Sequence, residues 1–243
     1  MPVSPPPGAP APTGATPPAA REATLKVPAF VYRVARFVVH AVCRLYWRVT
    51  VRGPGTVPDS GPVILAPVHR NFMDFFVVSE VTRRKIFYMA KDDLWGNRFL
   101  GALLDALGAF PVNREGTDRL AFDRAQAVLE RGDVLILFPE GTRRSGPVVE
   151  DLHEGAAFLS TRTGAPIVPI GIGGSSRIMP KGGHVPRPTK VCLVVGPPLE
   201  PPARSERGRV PRHQVHALTE RLAGEVQRLY DEAQAAAGIP NQP

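Results

Sequence analysis

The chain has 243 residues, 43% of them hydrophobic and 21% charged, which suits one folded domain with a real core and argues against a disordered polymer. No apolar run reaches the ~18 residues of a membrane-spanning helix, and two cysteines alone make neither a disulfide framework nor a zinc site, so the chain reads as intracellular. Thirty Lys and Arg against 22 Asp and Glu leave a formal charge of +8, which calls for an anionic partner: nucleic acid, a membrane surface or a phosphorylated substrate.

Residues 1–28, rich in Pro, Ala, Gly and Thr, have little to bury and predict a disordered tail without the basic start and apolar stretch of a secretory signal. Residues 29–48 predict an amphipathic helix. Arg33, Arg36, His40, Arg44 and Arg48 recur at steps of three or four and form one stripe, with Val31, Val34, Val38, Val42 and Leu45 on the other side. Two arrangements are open. The helix packs on its own domain, or it lies in a membrane surface with its arginines toward lipid phosphates.

Short β-rich runs follow at 62–68, 86–89, 108–112, 133–138, 166–172 and 190–196, with helical stretches between them. The clearest helix runs from Thr117, its N-cap, to Arg131, and Gly132 stops it. Residues 197–213 predict a linker to a last helix over about 213–237. The alternation predicts an α/β fold: a single domain over 49–200 whose central, largely parallel mixed sheet is flanked by helices. The amphipathic helix precedes it, and a basic linker with a C-terminal helix occupies 201–243.

Two strand ends carry chemistry. His69 and Asp74 stand in HRNFMD directly after the apolar run 62–68. That places the imidazole at the carboxyl edge of the sheet, with Asp74 in the first turn of a helix beginning near Phe72 and able to turn back toward it. A His–Asp pair is two thirds of a hydrolase triad, yet no G-x-S-x-G supplies the nucleophile, and Cys43 and Cys192 sit in ordinary helix and strand settings. The substrate must therefore bring the hydroxyl, with His69 as general base and Asp74 fixing its tautomer. The plainer alternative makes Asp74 a helix N-terminal charge and His69 a turn residue. Seventy residues on, Glu140, Gly141, Thr142 and Arg143 form a polar turn after the run 133–138, whose N–H groups and guanidinium can hold an oxyanion or phosphate. Lys91, Arg114, Arg143 and Arg144 arrive from three loops and suit a phosphorylated substrate at the same edge.

These blocks resemble the lysophospholipid acyltransferase family, in particular its bacterial 1-acylglycerol-3-phosphate acyltransferases, over about residues 45–200. Four stretches carry the resemblance in order: HRNFMD (69–74), GAFPVNR (108–114), FPEGTR (138–143) and IVPIGI (167–172), with the Lys91–Gly101 segment similar as well. Two departures stand: His153-Glu154 precedes Gly155 where the family usually has Lys or Arg, and Phe99 or Leu100 stands where the family pattern has Pro near the end of the Lys91 segment. The resemblance implies that His69 is the catalytic base and Asp74 its partner. It also implies that Arg114, Glu140, Gly141 and Arg143 bind the glycerol phosphate, with Thr142 in the same turn and Lys91 nearby, and that Val168, Pro169 and Ile170 help form the acyl-chain site. The reaction implied moves a fatty acyl group from acyl-CoA or acyl carrier protein to the sn-2 hydroxyl of 1-acylglycerol 3-phosphate, giving phosphatidic acid. Glycerol 3-phosphate, another lysophospholipid or a glycolipid is the alternative acceptor.

An acyl thioester is already activated, so a base and an oxyanion-stabilising turn suffice; no cofactor or metal is expected beyond the thioester co-substrate. Expected partners are the lysophospholipid, the acyl thioester (acyl carrier protein included) and the anionic surface of the cytoplasmic face of the membrane, bound peripherally. Nucleic acid fares poorly: arginines are dispersed, aromatics are 7%, and no finger, RRM or helix-turn-helix pattern appears.

Overall fold

The computed structural model describes residues 29–53, 55–96, 98–112, 119–180, 183, 185–203 and 210–241. The expectations for the tail 1–28, for Arg114, for the Thr117 cap and for the basic stretch 204–209 lie outside the described residues.

All six predicted strands form: β2 (Val63–Pro67), β3 (Ile86–Lys91), β4 (Ala109–Val112), β5 (Val134–Ile136), β6 (Ile167–Gly173) and β7 (Cys192–Val195). A seventh, β1 (Thr50–Arg52), has no apolar run to announce it and exists through its pairing with β7 at the sheet edge. The spatial order is β1-β7-β6-β2-β5-β3-β4, and every pairing is parallel except β6 with β7. β2 lies at the centre, bonded to β5 on one side and β6 on the other. All five of its residues are buried, which is why its sequence is continuously apolar where a half-exposed strand would alternate. Parallel pairing brings the carboxyl ends of β2, β5, β3, β4 and β6 to one edge, where residue 69 and the 138–143 turn follow their strands.

The helices are α1 (Ala29–Ala41), α2 (Asp74–Val78), α3 (Arg98–Leu107), α4 (Arg119–Glu130), α5 (Gly155–Thr163) and α6 (Arg212–Ala236). Helix α6 buries Leu222, Val226, Leu229 and Ala233 completely. It lies so close to β6 that a Cβ on Gly171 or Gly173 would collide with the Leu229 or Ala233 carbonyl, so these two positions need glycine for room.

Helix α1 passes into a π-helical turn (Val42–Tyr46) and stops before Arg48, short of the predicted end. Part of its basic stripe packs on the domain. Arg36 donates to the carbonyls of Thr82 at 2.6 Å and Arg84 at 3.1 Å. His40 and Arg44 both pair with Glu80, Arg44 at 2.8 Å, and the Glu80 side chain has no exposed surface. A carboxylate buried behind α2 must be neutralised, and His40 and Arg44 reach it, while Arg33 and Arg48 of the same stripe stay exposed. Phe30, Phe37 and Leu45 consequently face out, 75%, 73% and 81% exposed, with Val34 and Val38 beside them. No described helix is long and apolar enough to cross a membrane.

Candidate active site

His69 follows β2 by two residues and is held in the HRNFMD turn by a single oxygen. Asp74 Oδ2 accepts the Arg70 N–H at 2.7 Å, the Asn71 N–H at 2.6 Å and His69 Nδ1 at 3.0 Å. Asn71 closes the same turn by accepting the Met73 N–H at 3.0 Å and donating to the Met179 carbonyl at 3.0 Å. The imidazole stacks on Phe138, ring centroids 4.0 Å apart. A carboxylate accepts only, so Nδ1 carries the proton and Nε2 presents its lone pair, with no protein partner among the described residues. The structure thus brings together the His69–Asp74 pair read from the sequence. Asp74 itself is fully buried and opens α2.

The next strand end is joined to this one by a residue that sequence reasoning missed. Arg70, whose side chain is 2% exposed, donates through one nitrogen to both oxygens of Glu140, at 2.6 and 2.8 Å, and to the His69 carbonyl at 3.2 Å. Its other terminal nitrogen donates to the Val148 carbonyl at 3.0 Å, and its guanidinium lies 4.8 Å from the centre of the Tyr230 ring. Glu140 Oε2 also accepts the His69 N–H at 2.7 Å. The expected contact of Glu140 with glycerol phosphate therefore needs correction. Its side chain is fully buried and both oxygens serve Arg70 and the His69 backbone, so it holds the imidazole's own peptide. Burial raises the Tyr230 hydroxyl pKa, and the Arg70 charge opposes that rise. The one local signal for Arg70 was a charged residue between a buried strand and a carboxylate in the turn of the adjacent strand.

The anion cradle expected from the 140–143 N–H groups also needs correction. Gly141 N–H donates to the Phe138 carbonyl at 3.0 Å and Thr142 N–H to the Glu140 carbonyl at 2.7 Å, while Arg144 N–H donates to the His69 carbonyl at 3.0 Å. Two of the four expected groups are thus committed within the turn, while the Glu140 and Arg143 N–H groups have no partner among the described residues. Gly141 sits at φ +65° with the His153 ring against it, so any larger residue there would be strained and crowded. Side chains add to what remains for a ligand. Thr142 and Arg143 are exposed, and Arg143 makes no hydrogen bond or ion pair with another described residue. Its neighbour Arg144 donates its backbone N–H to the His69 carbonyl, so residue 143 follows the chain next to the HRNFMD turn. Lys91 ends β3 at the same edge.

Val168, Pro169 and Ile170 are buried in the middle of β6. A small, largely apolar cavity of about 40 Å³ lies between α1, α2 and the sheet, walled by Tyr32, Val39, Phe75, Phe76, Tyr88 and Leu107. Cys43 and Cys192 are fully buried; burial first, then Glu80, pushes the Cys43 thiol up to about 12, and neither thiol is placed to attack a substrate. Among the described residues no group of three or more His, Cys, Asp or Glu could hold a metal ion.

A family model described as Acyltransferase matches residues 48–173. The 1-acyl-sn-glycerol-3-phosphate acyltransferase of Bacillus subtilis (strain 168) is 26% identical over 201 residues, spanning 82% of this chain and 96% of its own length. That of Streptococcus pneumoniae (strain ATCC BAA-255 / R6) is 30% identical over 176 residues, 72% of this chain and 62% of its own. The fold is similar to the crystal structure of the 1-acyl-sn-glycerophosphate (LPA) acyltransferase, PlsC, from Thermotoga maritima, with a TM-score of 0.64 at 24% identity over 82% of this chain and 80% of that one.

Proposed function

The chain belongs to the Acyltransferase family and is an O-acyltransferase, and from that premise we propose that it acylates the sn-2 hydroxyl of 1-acylglycerol 3-phosphate from an acyl thioester, giving phosphatidic acid. The observation that carries this reading is the His69–Asp74 pair, whose Nε2 has no partner among the described residues, with the exposed Arg143 one residue from the backbone bond to His69. In the proposed step Nε2 takes the acceptor's hydroxyl proton as its oxygen attacks the thioester carbonyl. The tetrahedral intermediate collapses, the carbon–sulfur bond breaks, and the departing thiolate takes the proton back from the imidazolium. Asp74 stabilises that imidazolium. Both acyl-CoA and acyl carrier protein present the thioester this needs. The relatives named 1-acyl-sn-glycerol-3-phosphate acyltransferase support the acceptor.

Arg143 is proposed to bind the acceptor phosphate. Arg143→Ala is expected to raise the acceptor KM by about 10- to 100-fold, the scale of one charged hydrogen-bonding contact, with a much smaller effect on kcat. Steady-state kinetics with lysophosphatidate and a phosphate-free monoacylglycerol decide it. Equal turnover of the two acceptors would remove the phosphate from the substrate assignment.

The outward apolar face of α1 is proposed to seat the enzyme in the lipid surface that holds its substrate. A large apolar side chain transferred from water contributes roughly 1.5–3 kcal/mol, so Phe30, Phe37 and Leu45 together suffice for peripheral binding. Changing all three to Asp is expected to cut co-sedimentation with phospholipid vesicles by at least ~10-fold, in neutral and anionic vesicles alike. Activity on detergent-dispersed lysophosphatidate should persist. Binding that survives the triple change but is abolished by salt would mean that exposed arginines make the contact.

A further inference from the structure

We propose that Arg70 and Tyr230 are positioning residues for the His69 imidazole, which makes the C-terminal helix α6, beyond the family-matched segment 48–173, part of the catalytic apparatus. The inference rests on the proposed role of His69 as base. It goes beyond that role in naming what holds the base still.

The peptide of His69 is gripped from both sides. Its N–H is donated to Glu140 at 2.7 Å and its carbonyl accepts from Arg70 at 3.2 Å. Neither grip stands alone. Glu140 is a fully buried carboxylate and needs a charge partner, and Arg70 is the cation that reaches both its oxygens. Arg70 must in turn be held in plane, because one nitrogen serves three oxygens on two residues. The Val148 carbonyl at 3.0 Å and the Tyr230 ring at 4.8 Å supply that constraint.

Both of these supports depend on α6. The loop carrying Val148 is tied to it at three points on either side: Tyr230 donates to the Gly146 carbonyl at 3.3 Å, and Gln227 donates to the Pro147 carbonyl at 3.0 Å and accepts from the Val149 N–H at 2.7 Å. A polar cleft bounded by Arg144, Pro147, Ser176 and Asn241 reaches Arg70 and Tyr230. Arg70 Nε is buried and has no partner. Without the Tyr230 ring, water in this cleft would meet the guanidinium face and compete for its bonds. Lysine cannot replace Arg70, since an ammonium has no planar fork to reach Glu140, His69 and Val148 together.

The test compares Arg70→Lys, Tyr230→Phe and Tyr230→Leu with wild type and with His69→Ala, using lysophosphatidate and an acyl-CoA on protein shown to be folded by circular dichroism. Arg70→Lys is expected to lose about 100-fold in kcat, the effect of moving a catalytic group by about 1 Å. Tyr230→Leu should lose about fivefold, the scale of a buried cation–π contact, while Tyr230→Phe keeps the ring and stays within about twofold. In all three the acceptor KM is expected to change by less than about twofold, because none touches the acceptor. Proton NMR gives a readout independent of turnover. The His69 Nδ1–H, bonded to Asp74, should appear downfield in wild type and Tyr230→Phe and be broadened by exchange in Tyr230→Leu and Arg70→Lys. A folded Tyr230→Leu protein with wild-type kcat and a sharp Nδ1–H signal would overturn the proposal, as would losses confined to KM. Full activity in His69→Ala, with the NMR signals behaving as expected, would instead unseat His69 as base and leave the positioning intact.

Discussion

His69→Ala is expected to lose at least ~100-fold in kcat while folding and vesicle binding stay intact, the low end for removing a general base. An alcohol is a poor nucleophile until its proton has somewhere to go, and imidazole is the side chain that exchanges a proton near neutral pH. His69 is about nine-tenths buried, with one nitrogen committed to Asp74 and one face on Phe138, so the remaining lone pair is the group offered to a substrate. The loss should appear in kcat more than in acceptor KM, since Arg143 remains. Release of coenzyme A, measured with and without lysophosphatidate, checks the acceptor's part as well. Turnover that proceeds equally without acceptor would make the protein a thioesterase, and an active His69→Ala variant would require another base.

How much of this was legible in the sequence depended on how local the cause is. The six longer strands were, because a central parallel strand is buried on both faces and must be apolar throughout, as Val63–Pro67 is. His69 and Asp74 were, because their relation is set within one turn. The facing of α1 was not. Its stripes were visible, but which one turns inward depends on Glu80, a lone acidic residue forty positions on whose burial no periodicity reveals. Glu140 was assigned to the substrate because the family resemblance implies that contact. The structure spends it on Arg70 and the His69 backbone, an arrangement that needs β2 and β5 to be neighbours. Tyr230 was least visible of all. It is one apolar position in an amphipathic helix, distinguished only by the guanidinium that happens to lie against it.

Asp74→Asn is expected to lose ~100-fold or more in kcat, and the structure indicates by which route. In a serine-hydrolase triad the corresponding change is damaging because the amide can favour the wrong imidazole tautomer. Here the oxygen facing His69 is also fixed by the Arg70 and Asn71 N–H groups at 2.7 and 2.6 Å, so an amide nitrogen at that position would oppose two backbone donors. Asparagine is therefore expected to keep its oxygen there and preserve the tautomer. Its amide nitrogen falls where Asp74 Oδ1 is already buried without a partner, at a cost of about 1–3 kcal/mol in stability. What is lost in catalysis is the negative charge that stabilises the imidazolium as the alcohol gives up its proton. The His69→Ala, Asp74→Asn double variant should then be little worse than the worse single one, because Asp74 acts only through the imidazole it holds. Measuring kcat for the full cycle, with thermal unfolding of each variant alongside, tests both statements. Additive losses would show that Asp74 contributes to turnover by a path that does not pass through His69.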